Sequence, residues 1–533
     1  MIIPVNVKSQ AGIKRDGTRF DGAYYVDGQW VRFQRGLPRK IGGYRQISNF
    51  AGGIVRQFHT QALNSFVYTH IGHENGVQKF TIDSDGNTSA PVDRTPLTFT
   101  PNDNFNWMFD AMQDGAGSAT VVFAHAASTL LDISDATNYP VYYGDIYAND
   151  RLVSIGQSVS GGVVTLHPYL FVYSANGYVK WSDANDPTNF TTGDAGDAFI
   201  ASSKVVKGLP LRGGAQAPAG LFWTLDSLIR ASYTGGDDIF TFDTITASTS
   251  VLATNSIIEY DGIFYWCGLD RFLLYNGTVR DVPNELNSNF FFDNLNFTYA
   301  NKVFAFKVPR FGEIWWCFPK GTATECNHAV IFNVRENTWY DTALPDAGRS
   351  AGIYAQVFRS PLMGGVGIVP PPTADLRITE DGDTRITEDG DFRVTDTGGT
   401  AYKVWRHEIG VDAIDGGSVN AVQSYFETGD ISLLTTEVPK NRGIRCDLIE
   451  PDFVQTGDMS VQITGRINAR APEVISAPKF FPAVATQNYQ EPVYFKEQRR
   501  EMRFRFVSNT VGGDYQLGQT IAHIEVGDGR YQS

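Results

Sequence analysis

The 533-residue chain has few cysteines and no long apolar run. Its four cysteines, Cys267, Cys317, Cys326 and Cys446, have neither metal-site nor disulfide spacing, which favours a reducing compartment. No stretch of about 18 apolar residues occurs, so we expect no membrane span. The opening residues, MIIPVNVKSQAG, lack the basic region and apolar core of a signal peptide, so none is expected.

Long segments with helical periodicity are also nearly absent. Short aromatic and β-branched runs, drawn from 36 phenylalanines and 24 tyrosines, alternate with turn residues that include 53 glycines. This pattern is typical of an all-β protein. Several runs read as hairpins, with turns at Asn176-Gly177, Leu269-Asp270 and Asn276-Gly277.

Hairpin spacing and composition divide the chain into five parts. We predict a basic N-terminal arm with edge strands (1–50), a β-propeller-like domain (51–360), a Gly/Pro linker (361–375), an octad-repeat β-meander (376–399) and a C-terminal β-sandwich-like domain (400–533). The propeller is predicted because aromatic-rich units recur at roughly 40–55 residues. A pair of β-sandwiches would show similar local patterns. Near the C-terminus, alternation predicts that Met502, Phe504 and Phe506 face a core, whereas Arg503 and Arg505 face out.

Charge is unevenly distributed along the chain. The net charge of −14 disfavours a dedicated nucleic-acid binder, although DNA could slide past such a surface. Residues 1–50, by contrast, hold nine Lys or Arg against three Asp. This segment is either a solvated arm or an arm that docks on an acidic neighbour in an assembly. For the second interpretation the candidate assembly-interface residues are Lys14, Arg15, Arg19, Arg32, Arg35, Arg39 and Lys40.

An eight-residue unit is written three times between Leu376 and Gly399, as LRITEDGD, TRITEDGD and FRVTDTGG. Each copy supplies a short strand and an Asp-Gly turn. Alternation then predicts a meander whose packing face carries Leu376, Ile378, Ile386, Phe392 and Val394. Calcium binding is the rival interpretation, but neither the D-x-[DN]-x-[DN]-G loop nor the glycine-rich solenoid pattern is present. We therefore favour a meander without metal.

No signature of catalysis stands out. The segment GQSVSG misses the nucleophile-elbow pattern at Ser160, and GGVGIVP misses the third glycine of a dinucleotide fingerprint. His70 and His73 have the wrong spacing to share one strand face as metal ligands. Acidic pairs in a sugar cleft remain possible in principle, although nothing marks a particular pair. The tryptophans Trp181, Trp223, Trp266, Trp315, Trp316 and Trp339 are interpreted as packing between blades rather than as sugar platforms. We predict no enzymatic activity, metal or cofactor.

Several segments resemble tail proteins of short-tailed phages. The opening GAYYVDGQWVRFQRGLPRKIGGYRQ is similar to theirs in its G-x-P-x-x-x-G-G element, formed here by Gly36, Pro38, Gly42 and Gly43. The segment from 167 to 190 resembles a recurrent blade with a W-S-D-x-x-D-P-T core, from Trp181 to Thr188. The RITEDGD octads, YDGIFYWCGLDRFLLYNGTVRDVPN, and IEPDF followed by SNTVGGDYQLGQTIAHIEVGDGR also fit.

The resemblance implies a podovirus tail hub or nozzle protein of the packaged-DNA stabilisation type. Such proteins are β-propellers with appended β domains, assembled as a ring of identical subunits, typically six. The implied neighbours are the portal or adaptor, other tail proteins, and fibres or spikes. Double-stranded DNA would pass through the lumen without specific binding, and the chain would assemble in the host cytoplasm and reside in the virion tail.

Two other classes remain open. One is a phage protein that binds or degrades glycans, although the long run of short β-helix coils typical of tailspikes is not evident. The other is a bacterial surface or sensor propeller, which the lack of a signal peptide disfavours.

Overall fold

The computed structural model of the chain describes residues 2–17, 23–63, 65–115, 119–128, 136–212, 217–236, 238–367, 402–431, 443–467, 470–483 and 492–527. These residues are almost entirely β-strands in small sheets, which confirms the predicted all-β class. Helical structure in the described part is limited to α1 (Ser288–Asn294) and to 3₁₀ turns at Thr254–Ser256 and Phe297–Lys302. None of its helices combines the length and apolarity needed to cross a bilayer.

Seven short strands precede residue 50. They are β1 (Ile2–Asn6), β2 (Gln10–Ile13), β3 (Tyr24–Tyr25), β4 (Asp27–Gln29), β5 (Val31–Gln34), β6 (Leu37–Lys40) and β7 (Tyr44–Ser48). Apart from the parallel pair β2–β3, each of them joins a sheet that contains strands from much later in the chain. The predicted arm is therefore distributed through the fold.

Six four-stranded antiparallel sheets follow in sequence order. The first holds β8 (Val55–Leu63), β9 (Phe66–His73), β10 (Gly76–Ile82) and β11 (Val92–Asp93). The second holds β12 (Phe105–Gln113), β13 (Thr120–Ser128), β14 (Tyr139–Asp145) and β15 (Val153–Val159). The third holds β16 (Gly162–Leu166), β17 (Tyr169–Tyr173), β18 (Tyr178–Trp181) and β19 (Gly196–Phe199).

The remaining three sheets repeat the same up-and-down order. The fourth holds β20 (Val205–Leu211), β21 (Ala219–Thr224), β22 (Leu228–Tyr233) and β23 (Phe240–Thr246). The fifth holds β24 (Ile258–Tyr260), β25 (Ile263–Cys267), β26 (Phe272–Tyr275) and β27 (Val279–Asp281). The sixth holds β28 (Phe304–Val308), β29 (Glu313–Phe318), β30 (His328–Asn333) and β31 (Thr338–Ala343).

A seventh sheet combines strands from both ends of this series. It contains β32 (Arg349–Ala355), β33 (Ser360–Gly365), β34 (Val404–His407), β35 (Asp412–Asp415) and β36 (Ser418–Ala421), in the order β32-β33-β34-β7-β35-β36. Strand β7, from the N-terminal segment, pairs antiparallel with β34. A strand contributed by the N-terminus thus completes a sheet that begins about 300 residues later.

The seven sheets follow one another in a propeller-like arrangement. The first strands of neighbouring sheets touch, with β8 against β12, β12 against β16, β16 against β20, β24 against β28, and β28 against β32. The fourth and fifth sheets meet through Trp223, whose ring lies 5.7 Å from that of Trp266. Strand β32 of the seventh sheet contacts β8 of the first.

The C-terminal strands form a second β region. They are β37 (Ser424–Glu427), β38 (Ile444–Glu450), β39 (Phe453–Thr456), β40 (Met459–Arg466), β41 (Val474–Ile475), β42 (Lys479–Phe481), β43 (Val493–Arg499), β44 (Glu501–Ser508), β45 (Asp514–Leu517) and β46 (Ile521–Val526). Three sheets result, ordered β1-β46-β38-β43, β4-β37-β44-β40-β41 and β39-β45-β6-β5, with β42 paired to β40. Their apolar faces share a core with Tyr25, Trp30 and Phe33 of the N-terminal segment and with Trp315 of the sixth sheet.

The structure places several predicted boundaries differently. The linker expected from 361 begins as the buried strand β33, because its apolar residues pair with β32 and β34. Residues 404–421, assigned to the C-terminal domain, lie in the seventh sheet instead. The octad meander at 376–399, with its proposed packing face, lies outside the described residues.

Candidate functional site

A cavity of about 310 Å³ lies where the first strands of the propeller-like sheets converge. Side chains from β8, β12, β20, β24, β28 and β32 line it. It is therefore an axial cavity, the position at which many ring-shaped β folds bind ligands. Its volume equals that of a sphere roughly 8 Å across. The major groove of a DNA duplex alone is about 12 Å wide, so the cavity is too small to contain a duplex.

Most charges around the axial cavity are paired. Arg56 donates to both carboxylate oxygens of Glu325, at 2.8 and 3.0 Å. Lys302 donates to the same carboxylate at 2.5 Å. Lys307 lies 2.9 Å from Glu259 Oε2. Lys307 thereby joins the sixth sheet to the fifth, Arg56 joins the first sheet to the loop that follows β29, and each of these cations is neutralised.

Lys207 of β20 differs from these paired cations. It lines the axial cavity, yet it makes no ion pair with any described carboxylate. The nearest acid that acts on it electrostatically is Asp110, which accepts the backbone N–H groups of Thr165 at 2.7 Å and Ala111 at 2.8 Å. Burial lowers the pKa of Lys207 to about 8, although Asp110 opposes this shift. Burial raises the pKa of Asp110 despite its two hydrogen bonds.

Histidines lie on the first two strands of the first sheet. His59 faces His70 across the β8–β9 pair, with ring centroids 6.4 Å apart. His70 Nε2 lies 2.8 Å from Arg94 Nη1. Burial lowers the pKa of His59 to about 4, and burial together with Arg94 holds that of His70 well below its usual value. The structure brings His70 beside a cation, which opposes binding of a metal ion there.

His73 occupies a separate environment. Its Nδ1 accepts the backbone N–H of Asn75 at 3.2 Å, so it serves the β9–β10 turn. Across the described ranges, no set of three or more His, Cys, Asp or Glu side chains is placed to hold a metal ion.

A second polar site joins the N-terminal segment to the propeller-like region. Arg32 of β5 is only 1 % exposed and sits between two carboxylates. Its Nη2 lies 3.1 Å from Glu313 of β29, and its Nη1 lies 2.9 Å from Glu408, which follows β34. The guanidinium also stacks 3.7 Å from the ring centroid of Phe311. We call Arg32, Glu313 and Glu408 the arm clamp.

Protonation states in the arm clamp follow from burial and charge. Burial alone lowers the pKa of Arg32, but Glu313 and Glu408 raise it above its ordinary value. Burial raises the pKa of Glu313, an effect that Arg32 partly offsets. Tyr340 and Trp315 donate to the Glu313 carboxylate at 2.7 and 2.9 Å. The clamp is therefore a network of charged and hydrogen-bonded groups whose members depend on one another.

Arg15 makes a similar internal connection. Its Nε lies 2.9 Å from Asp341 Oδ1, and its Nη1 lies 2.6 Å from Asp27. His328 Nε2 lies 3.0 Å from the other oxygen of Asp341. Burial raises the pKa of Asp341, but Arg15 and His328 outweigh it and bring the value to about 2. Asp341 is thus ionised and satisfied within the fold.

The structure gives the following positions to the residues predicted for the assembly interface. Arg15 and Arg32 find their acidic partners in their own chain, and Lys40 donates to the carbonyl of Gly513 at 2.6 Å. These three residues form contacts within the chain because the neighbouring strands β4, β5 and β6 belong to the C-terminal sheets. Arg39 donates to Gln34 at 3.0 Å. Arg35 is exposed, Lys14 is half-buried, and Arg19 lies outside the described residues.

The glycine pair of the G-x-P-x-x-x-G-G element occupies the same junction. A Cβ atom on Gly42 would lie 2.7 Å from Glu408 Oε2, and one on Gly43 would lie 2.5 Å from the backbone nitrogen of Asp412. Only glycine allows the entry to β7 to pass this close to the 408–412 segment. The element therefore positions the arm clamp.

The W-S-D-x-x-D-P-T core builds the connection between β18 and β19. Asp183 Oδ1 accepts the N–H groups of Ala184 and Asp194, each at 2.9 Å. The Trp181 indole N–H donates to the Asp194 carbonyl at 2.9 Å. These hydrogen bonds close the turn on itself, so the motif has a structural role.

The interpretation of the tryptophans as packing between blades holds for five of the six. All six tryptophans considered above are at most 7 % exposed. Trp181 packs against Phe240 of the next sheet at 5.5 Å, and Trp316 against Phe272 of the preceding sheet at 5.0 Å. Packing between sheets accounts for all of them except Trp315, which packs against Trp30 of the N-terminal segment at 6.2 Å.

Sequence reasoning missed both polar sites. Arg32 was assigned to an exposed arm, because its partners lie 281 and 376 residues away. Lys207 stands in the apolar strand VVKGLPL, and Arg56 in GIVRQFHTQ. The sequence signal for these sites is a single Lys or Arg within an otherwise apolar strand. Burying such a cation requires an acidic partner or a polar cavity, so its presence indicates one of the two.

Comparison with known proteins adds no assignment. No protein-family model matches the chain, and no curated protein has significant sequence similarity to it.

Proposed function

We propose that the chain is a structural subunit of the tail of a short-tailed phage. It would act as one copy in a ring, at the hub or nozzle position, around the path of the genome. The proposal rests on one observation: the motifs that resemble phage tail proteins have structural roles in this chain. Gly42 and Gly43 allow a close backbone approach, and Asp183 organises a turn, so these motifs specify shape rather than chemistry.

The dimensions of the axial cavity constrain how DNA would pass. A space of about 310 Å³ does not admit a duplex. The genome would therefore run between subunits, along the axis of the ring, and not along the axis of one propeller. This separates the conduit from the ligand-sized cavity inside each copy.

Charge supports a passive conduit. The chain holds 58 acidic and 44 basic residues. Within the described part, several cations, including Arg15, Arg32, Arg56 and Arg503, are bound by carboxylates. Engaged phosphates add salt-dependent binding, so a conduit works better with few free cations.

Electron microscopy of the purified full chain tests the proposal. We expect annular particles in negative stain, with a hole wide enough for duplex DNA. Incubation of the same sample with polysaccharide from the bacterial host should release no oligosaccharide. Isolated single copies together with released sugar would replace the proposal with the glycan-degrading alternative.

The contribution of the N-terminal segment to assembly is tested at two of its cations that have no carboxylate partner among the described residues, Arg35 and Arg39. The double variant Arg35→Glu, Arg39→Glu should weaken ring formation while the chain stays folded, because neither side chain forms an ion pair with a described carboxylate. Arg280→Glu, at an exposed position in β27, is the matched control. Normal rings in the double variant would exclude the arm from the interface.

A further inference from the structure

Three basic side chains connect the first sheet to the second. They are His70 of β9, Lys79 of β10 and Arg94, which follows β11, and each is at most 3 % exposed. Arg94 Nε donates to the Asp150 carbonyl at 2.8 Å, and Lys79 Nζ donates to the Tyr147 carbonyl at 2.7 Å. Both carbonyls belong to the connection between β14 and β15 of the second sheet. The two cations therefore attach this connection to the first sheet.

The contact between Arg94 and His70 fixes the protonation state of the imidazole. Arg94 Nη1 lies 2.8 Å from His70 Nε2. A guanidinium has only donors and stays protonated in proteins, so Nε2 accepts this hydrogen bond with its lone pair. The other ring nitrogen, Nδ1, is buried and has no hydrogen-bond partner among the described residues. A second proton on the ring would therefore direct an N–H at a cation and gain no acceptor.

The groups around His70 make a second proton more unfavourable. Three bases from three elements act on it, namely Arg94, His59 of β8 and Lys79 of β10. Burial and these bases hold the pKa of His70 well below its usual value. The carboxylates of Asp145 and Asp150 act on the two cations, Arg94 and Lys79. A proton on His70 would thus add positive charge to a cluster that already holds two buried cations.

We propose that His70, Lys79 and Arg94 form an acid-sensitive latch between the first and second sheets, which opens when His70 takes up a proton. Protonated His70 would repel the Arg94 guanidinium and draw it away from the Asp150 carbonyl. The connection between β14 and β15 would then lose one of its attachments to the first sheet. The latch lies within one chain, so it does not depend on the ring proposal.

The latch should weaken as the pH falls below about 6.5. A histidine in the open form has an ordinary pKa of about 6.5, whereas that of His70 in the closed latch lies well below this value. Between the two values, the open form binds one more proton than the closed form. The open form should therefore become up to about tenfold more populated for each pH unit.

Hydrogen exchange by mass spectrometry of the full-length chain measures this opening, once the intrinsic pH dependence of exchange is subtracted. The amide of Leu152 donates to the Arg94 carbonyl at 3.0 Å, so a peptide covering residues 146–153 reports whether the connection is attached. In the wild type, the opening of this peptide should increase by up to about tenfold between pH 6 and pH 5.

Two variants assign the effect to His70. His70→Gln should abolish the pH dependence and keep the connection attached, because its amide oxygen accepts the Arg94 hydrogen bond and does not titrate. His73→Gln is the matched control, since His73 is buried on the same strand but serves the β9–β10 turn. It should retain the wild-type pH dependence.

Three results would overturn the proposal. One is wild-type protection of residues 146–153 that does not change between pH 6 and pH 5, which needs no variant and decides the question even where a variant does not fold. The second is an unchanged pH dependence in a folded His70→Gln chain. The third is loss of the pH dependence in a folded His73→Gln chain.

Discussion

Removing the cation of the arm clamp provides the sharpest test of how the fold is held together. Arg32→Met takes away the guanidinium but keeps a flexible apolar chain beside Phe311. Glu313 is fully buried, so its carboxylate loses its main counter-charge. Glu408, 9 % exposed, loses the same partner. The N-terminal segment should then separate more readily from the sixth and seventh sheets.

The magnitude follows from the burial of the clamp. Breaking a buried ion pair by removing one partner costs about 3–5 kcal/mol. Because about 1.4 kcal/mol is a tenfold change in an equilibrium, the local opening of β5 and β6 should become roughly 100- to 5,000-fold more populated. Glu313 retains hydrogen bonds from Tyr340 and Trp315 and can take up a proton. The deficit should therefore be largest at high pH and shrink as the pH falls toward about 4.3.

Hydrogen exchange by mass spectrometry measures this opening segment by segment. Amides of β5 and β6 should lose protection in Arg32→Met. They should keep it in Arg310→Met, whose exposed guanidinium lies 5.1 Å from the same Phe311 ring. Adding Glu313→Gln and Glu408→Gln to Arg32→Met should recover much of the loss, because no buried charge then remains. Unchanged protection in Arg32→Met would refute the role assigned to the clamp.

Three further variants probe other parts of the account. Burial lowers the pKa of His125 to about 4, from an ordinary value of about 6.5. Between these two pH values the unfolded chain binds a proton that the folded chain does not. The free energy of unfolding therefore falls as the pH drops from about 6.5 to 4. His125→Asn should reduce that slope by up to about 1.4 kcal/mol per pH unit in urea titrations, and an unchanged slope would count against a buried neutral ring. Gly43→Ala should lower the thermal midpoint by several degrees because its Cβ meets the Asp412 backbone, whereas Gly236→Ala, which meets nothing within 4 Å, should not. Asp183→Ala should increase proteolytic cleavage within 182–196 more than Asp186→Ala does; equal susceptibility would mean that Asp183 does not organise the turn.

Local features of the fold were accessible from the sequence. Asn176 and Gly177 both adopt positive φ, at 54° and 67°, in the predicted turn between β17 and β18. Met502, Phe504 and Phe506 are fully buried as alternation in β44 predicted. Neighbouring residues determine both features, so a pattern in one segment is enough to reveal them.

Long-range features were not accessible in the same way. Strand β7 pairs with β34 across about 360 residues, and nothing within either segment indicates the other. Arg503 points away from the core as predicted, yet it is buried, because Glu427 and Glu473 close over it. The expectation that Arg503 faces solvent is wrong for one reason. The alternation of apolar and polar residues shows which face of a strand a side chain is on, but not what covers that face.

Sedimentation velocity of the full-length chain tests the central claim most directly. The account predicts a discrete oligomer whose mass is a multiple of 58.8 kDa and whose frictional ratio fits a ring. A single species of 58.8 kDa over the whole accessible concentration range, in the presence and absence of the other tail proteins, would contradict it.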